Sequence, residues 1–132
     1  MDFSTISWLG VAVAGVTAMV TGGLWYSLLF AKIWQRAAGV TDEQLTQNAP
    51  LTYLGSLLLA FVMAVVLAPF IAHGGVVFGL IAGLAVGIGW VAASFGMVSL
   101  FERRPLAYWL VNAGYAVVSY AAMGAILGAF QA

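Results

Sequence analysis

The sequence predicts an all-α membrane protein: a four-transmembrane-helix bundle with both termini outside, two cytoplasmic loops and a short amphipathic helix in the first loop. Three observations predict it. Hydrophobic residues make up 64% of the 132 residues and charged ones 6%, whereas a soluble domain carries about 25% charged and 45–50% apolar residues. The apolar residues fall into four stretches, each long enough for the roughly 20 residues that cross a bilayer core about 30 Å thick. Every charged side chain (Asp2, Lys32, Arg36, Asp42, Glu43, Glu102, Arg103 and Arg104) lies outside those stretches.

In chain order, the spans run over residues 4–30, 51–72, 76–101 and 105–130, as one domain over residues 1–132. The first is too long for the 7–15-residue apolar region of a secretory signal and no Lys or Arg precedes it, so it is expected to stay as a helix. In the first loop, Thr41-Asp42-Glu43-Gln44 fits a capping box, and Gly39 reads as the stop of a short helix carrying Lys32, Trp34 and Arg36. Pro50 opens the second span, and Pro105 suits the first turn of the fourth, where its missing N–H costs nothing. Strands of a membrane barrel would alternate in polarity about every second residue, and nothing here alternates.

Orientation follows from the basic residues. Lys32 and Arg36 fall between spans one and two, Arg103 and Arg104 between spans three and four, and none falls in the tails or the 72–76 turn. Positive-inside reasoning puts both basic loops in the cytoplasm of a bacterial-type inner membrane, with both termini on the non-cytoplasmic side. Trp8, Trp25, Tyr26, Trp34, Tyr108 and Trp109 sit near the expected interfaces, as aromatic belts do.

Small residues repeat at spacing four. Gly75, Gly79, Gly83 and Gly87 form a stripe on span three. Span one carries Gly10, Ala14, Ala18 and Gly22, and span four carries Gly124 and Gly128 beside Ala121, Ala125 and Ala129. In lipid such faces let helices approach closely. The glycine faces of spans one and three are expected to pack closely, either within the bundle or at the seam of a homodimer or homotrimer.

The chemistry the chain excludes is informative. Without Cys there are no disulfides, thiol catalysis or Cys-ligated metals. Four Lys/Arg against four Asp/Glu leave no basic face for nucleic acid. His73 stands alone in a short turn, reads as solvated, and makes no metal site. No metal or cofactor is expected. Small four-span multidrug exporters are similar in size, but they rely on a carboxylate inside span one, and this chain has none there.

What remains is polar rather than charged. Tyr108, Asn112, Tyr115 and Ser119 fall at i, i+4, i+7 and i+11, one face of span four. Asn112 serves either as interhelical glue, with Thr17, Thr21 or Ser27 as partner, or as part of a small-molecule pocket with Tyr115. Trp25 and Tyr26 at the end of span one are expected at the same level. Glu102 is expected to pair with Lys32, Arg36, Arg103 or Arg104. Trp90, in mid-span, is expected to fill a gap beside Gly87 and Gly89.

Gly22-Gly23-Leu24-Trp25-Tyr26-Ser27, Phe101-Glu102-Arg103-Arg104-Pro105-Leu106 and Asn112-Ala113-Gly114-Tyr115 carry a resemblance. The chain resembles the family of small integral-membrane proteins called domain of unknown function 1761. That resemblance implies the four-span architecture and directs attention to Trp25, Tyr26, Glu102, Arg103, Asn112 and Tyr115, the non-apolar parts of its motifs. It implies no activity. The function expected from the residues is therefore non-catalytic, acting through helix packing with the chain itself, lipid or a membrane partner. The alternatives are an enzyme or small-molecule-binding protein with a cytoplasmic-side pocket, by analogy with membrane glutathione-transferase architecture, and then a passive carrier or channel.

Overall fold

The computed structural model describes residues 2–132. A 3-10 turn, Phe3–Thr5, precedes six helices: α1 Trp8–Leu29, α2 Ala31–Ala38, α3 Asp42–Thr46, α4 Ala49–Ile71, α5 Gly75–Phe101 and α6 Leu106–Gln131. Four of them, α1, α4, α5 and α6, have 22, 23, 27 and 26 residues and are long and apolar enough to cross a membrane. At 1.5 Å per residue each exceeds the roughly 30 Å apolar thickness of a bilayer. Their outward faces are apolar, with Leu58, Leu59, Val77 and Ile81 largely exposed. That is a surface made for lipid.

Helix ends differ from the sequence expectation by a few residues, for local reasons. α1 starts at Trp8 because the Ser7 side chain accepts from Gly10 N and caps it. α4 starts at Ala49, after Asn48 turns left-handed at φ 50°. Pro105 stands just before α6 instead of inside its first turn, in extended conformation at ψ 153°. Between α1 and α4, α2 ends where Gly39 takes φ 70° and donates to Gln35 O, the left-handed stop that glycine makes without steric cost. Thr41 and Gln44 cap α3 reciprocally at 2.8 and 3.2 Å. Gln35 Nε2 donates to Asp42 Oδ1, tying α2 to α3.

α6 is the central helix and packs against α1, α4 and α5. Its contact with α5 is backbone on backbone. A Cβ added at Gly79 would fall on the Gly124 carbonyl oxygen, one at Gly83 on the Tyr120 carbonyl oxygen, and one at Gly128 on the Gly75 carbonyl oxygen. The span-three glycine stripe therefore meets span four and not span one. α1 packs on α4 and α6 through Ala14 and Ala18, both fully buried. Gly10, Gly15 and Gly22 make room there for the rings of Phe130, Phe61 and Tyr115. Trp90, expected in a gap beside glycines, is 66% exposed and points outward. Gly89 beside it has open space where a side chain would be, so there is no pocket for the indole.

The end holding both chain termini is closed by a residue that sequence reasoning passed over. Gln131 is buried. Its Nε2 donates to Ala68 O and Ala72 O at 3.0 Å each, and its Oε1 accepts from Ser7 N at 3.2 Å. His73 Nδ1 donates to the Gln131 carbonyl oxygen at 2.6 Å. His73 is exposed in its turn, as expected, and its ring in addition caps a terminal carbonyl of α6, one of the groups a helix end leaves unpaired. Ala72 sits at φ 48°, ψ −125°, a conformation that L-residues hold only when neighbours determine it. The Gln131 amide is one such neighbour.

Candidate functional site

The opposite end, where α2, α3 and the α5–α6 turn gather, holds the candidate site. Two departures from α-helical winding build it. The last turn of α1, Trp25–Leu29, is π-helical, with Phe30 N donating to Trp25 O at 2.9 Å. The middle of α5, Gly87–Ala92, is π-helical as well. Such single-turn bulges re-aim side chains and recur at functional positions.

The bulge in α1 turns two neighbouring aromatics onto α6. Trp25 Nε1 donates to Val111 O at 2.8 Å. Its indole fills space that Gly114 leaves free, since a Cβ there would lie 2.8 Å from Trp25 Cζ2. Tyr26 OH donates to Asn112 Oδ1 at 2.6 Å. The Tyr26 ring stands between Trp34, edge-on at 5.5 Å, and Tyr115 at 5.4 Å. Tyr115 OH donates to Ala18 O at 3.1 Å. At the end of the bulge in α5, Ala92 O accepts from Trp109 Nε1 at 2.8 Å, and Gly96 admits that indole. Two indoles on opposite sides of α6 thus lock it to α1 and α5, and the phenols and Asn112 are held between them.

Between these elements lies a cleft of about 430 Å³, lined by Tyr26, Phe95, Val98, Ser99, Glu102, Tyr108, Asn112 and Tyr115. Of the residues singled out by sequence, Tyr26, Tyr108, Asn112, Tyr115 and Glu102 line it together. Trp25 packs behind the wall, and Arg103 lies outside at φ 60°. Thr17 and Thr21, expected partners of Asn112, donate to carbonyls of their own helix, Val13 O and Thr17 O. Ser119 shares the polar face of α6 but is fully buried away from the cleft, its Oγ without a partner among the described residues.

Of the α5 wall, sequence reasoning named Glu102 and missed Phe95, Val98 and Ser99. Phe95, Ser99 and Glu102 stand at i, i+4 and i+7, the same one-face spacing that exposes the polar face of span four, so a serine in an apolar run ahead of the glutamate was the available signal.

The rim is arranged differently from the expected ion pair. Arg104 Nη1 donates to Ala38 O at 3.1 Å, and its guanidinium sits 5.0 Å from the Tyr108 ring centroid. Lys32 and Arg36 line a separate groove of about 390 Å³ with Gln35, Gly39, Val40 and Thr41. Among the described residues no ion pair holds Glu102, which borders the cleft instead. Nor do those residues bring together three His, Cys, Asp or Glu that could hold a metal ion. One carboxylate, one amide, one serine hydroxyl and three phenols are groups that bind and orient a small molecule.

Helices of this length and polarity, with a cleft at one end of the bundle, define a four-span helical protein of membrane type. The family described as "Protein of unknown function (DUF1761)" matches residues 9–128, and the chain belongs to that family. No curated protein and no solved structure matches it.

Proposed function

We propose that the protein is a multi-pass protein of a bacterial-type inner membrane that binds a small amphiphilic molecule, without transforming it, in the cleft between α1, α5 and α6. Both basic loops face the cytoplasm and both termini lie outside, the arrangement in which Lys32, Arg36, Arg103 and Arg104 all obey the positive-inside rule. The observation that carries the binding reading is the Asn112 side chain. It accepts one bond from Tyr26, while its Nδ2 has no partner among the described residues and lies on a cleft of about 430 Å³. Asn112 is half-buried and its free donor is not among the sealed, unpartnered atoms, so the amide uses one end as glue and leaves the other open to whatever enters the cleft.

A second reading, helix packing with itself or a membrane partner, has the outward face of α5 in its favour, where Ile88 and Trp90 are exposed beside Gly89. The glycines that meet within the chain, Gly79, Gly83, Gly124 and Gly128, are already occupied, so a homo-oligomer needs that other face.

One variant separates the two readings. Asn112→Leu, followed by native mass spectrometry from membranes with endogenous lipid retained, is expected to keep its assembly state and lose a bound molecule that the parent protein carries. Loss of assembly with unchanged small-molecule content reverses the ranking. Reporter fusions after Thr41 and after Ala132 test the sidedness, and a Thr41 fusion active outside the cytoplasm overturns it.

A further inference from the structure

We infer that the ligand of the cleft carries an organic ammonium group, recognised by Glu102 and the surrounding aromatic rings; this rests on the binding reading above. Four of the eight lining residues are aromatic: Tyr26, Phe95, Tyr108 and Tyr115. Aromatic faces carry the negative end of the ring quadrupole and attract cations, most strongly where water is scarce. The one formal charge on the lining is the Glu102 carboxylate.

None of the four basic residues near this end lines the cleft, Arg103 included. Arg104 reaches Ala38 O, and Lys32 and Arg36 line the other groove. The chain itself illustrates the recognition chemistry, because the Arg104 guanidinium lies over the Tyr108 ring at 5.0 Å. An anion entering the cleft would meet the Glu102 carboxylate with no basic residue on the lining, so the local charge selects against it. Phe95 and Val98 supply the apolar side on which an alkyl chain rests. A trimethylammonium or primary ammonium on a short tail satisfies both parts of the wall.

The test uses three probes with the same tail: hexyltrimethylammonium, hexyl sulfate and 1-hexanol. Binding is measured calorimetrically to the full chain in dodecyl maltoside micelles, an uncharged host free of ammonium groups. The cation is expected to saturate at one per chain and to bind about tenfold tighter than the alcohol, a factor equal to about 1.4 kcal/mol, within the range of a cation–π contact helped by a neighbouring carboxylate. Glu102→Gln is expected to bring the cation down to the level of the alcohol while leaving alcohol binding and the thermal midpoint unchanged.

Equal binding of sulfate and ammonium, or a Glu102→Gln variant that keeps the cation preference, overturns the inference. If the alcohol saturates without any charge preference, the cleft reading stands and the ammonium inference falls. If no probe saturates, both fall. Short-chain phosphatidylcholine competing with the bound cation, with phosphatidylglycerol not competing, assigns the ammonium to a lipid headgroup. Absence of competition by either lipid assigns it to a free amine.

Discussion

Gly79→Ala tests one of the closest helix contacts among the described residues. A Cβ there would meet the Gly124 carbonyl oxygen head-on, lie 2.8 Å from the Gly124 carbonyl carbon and 3.3 Å from Gly128 Cα. These are backbone atoms, with no flexible side chain to swing aside. Restoring an ordinary carbon–carbon spacing of about 3.5–4.0 Å requires α5 and α6 to part by roughly 1 Å. A gap of that size forfeits a quarter to a half of each dispersion well; over some 40 atom pairs at about 0.15 kcal/mol each, the loss is about 2 kcal/mol. This falls within the 1–3 kcal/mol typical of overpacked sites. In lipid no hydrophobic force between helices offsets it.

The assay is unfolding by increasing SDS mole fraction in mixed micelles, followed by far-UV circular dichroism. Gly55→Ala is the control, since a Cβ there meets nothing within 4 Å, and it is expected to be neutral. The double variant Gly79→Ala/Gly124→Ala is expected to cost less than the sum of its parts, because the first methyl already separates the backbones. Equal midpoints for Gly79→Ala and Gly55→Ala would refute the packing argument.

Three further perturbations follow from the same structure. Gln131→Leu strips Ala72 O and Ser7 N of their partner and is expected to cost about 2–3 kcal/mol in the same titration, with faster hydrogen exchange at Ser7; an unchanged midpoint rejects the clamp. Ser119→Ala removes a fully buried hydroxyl that has no partner among the described residues and is expected to raise stability by about 1 kcal/mol, whereas destabilisation would mean that the hydroxyl has a partner in the membrane. Hydrogen bonds from the Ser4 side chain and backbone N–H hold the Asp2 carboxyl below its ordinary value of 3.8. Its contribution to the Phe3–Thr5 turn is therefore complete above that ordinary value and is lost as pH falls through the lower folded value. The Ser4 amide resonance is expected to titrate with a midpoint below 3.8, and a midpoint at or above it contradicts the bond.

Much of the architecture was legible because a bilayer leaves few solutions: an apolar run of this length, with charges confined to its ends, satisfies its backbone in lipid as a helix. The four helices and the family resemblance followed from runs and motifs that are local in sequence. So did the grouping of Tyr108, Asn112 and Tyr115, which needs only the helical period of one segment.

Tertiary structure decided everything that depends on which helix lies beside which. Glycine spacing announces a face made for close approach but carries no address, so only the packed bundle pairs Gly79 with Gly124. The partner of Asn112 turned out to be Tyr26 because a π-helical turn re-aims that ring, and such a bulge leaves no mark in the hydrophobic period. Trp90 shows the converse: a mid-span aromatic reads as filling, yet its direction depends on the neighbouring helix, and here it points outward. Gln131 sits one residue from the chain end and looked like tail. Its role exists only because Ser7, Ala68 and Ala72 arrive around it from distant parts of the chain, where a buried amide satisfies two backbone groups that the helix end and turn leave unpaired, Ser7 N and Ala72 O, and adds a second bond to Ala68 O, which also accepts from Ala72 N.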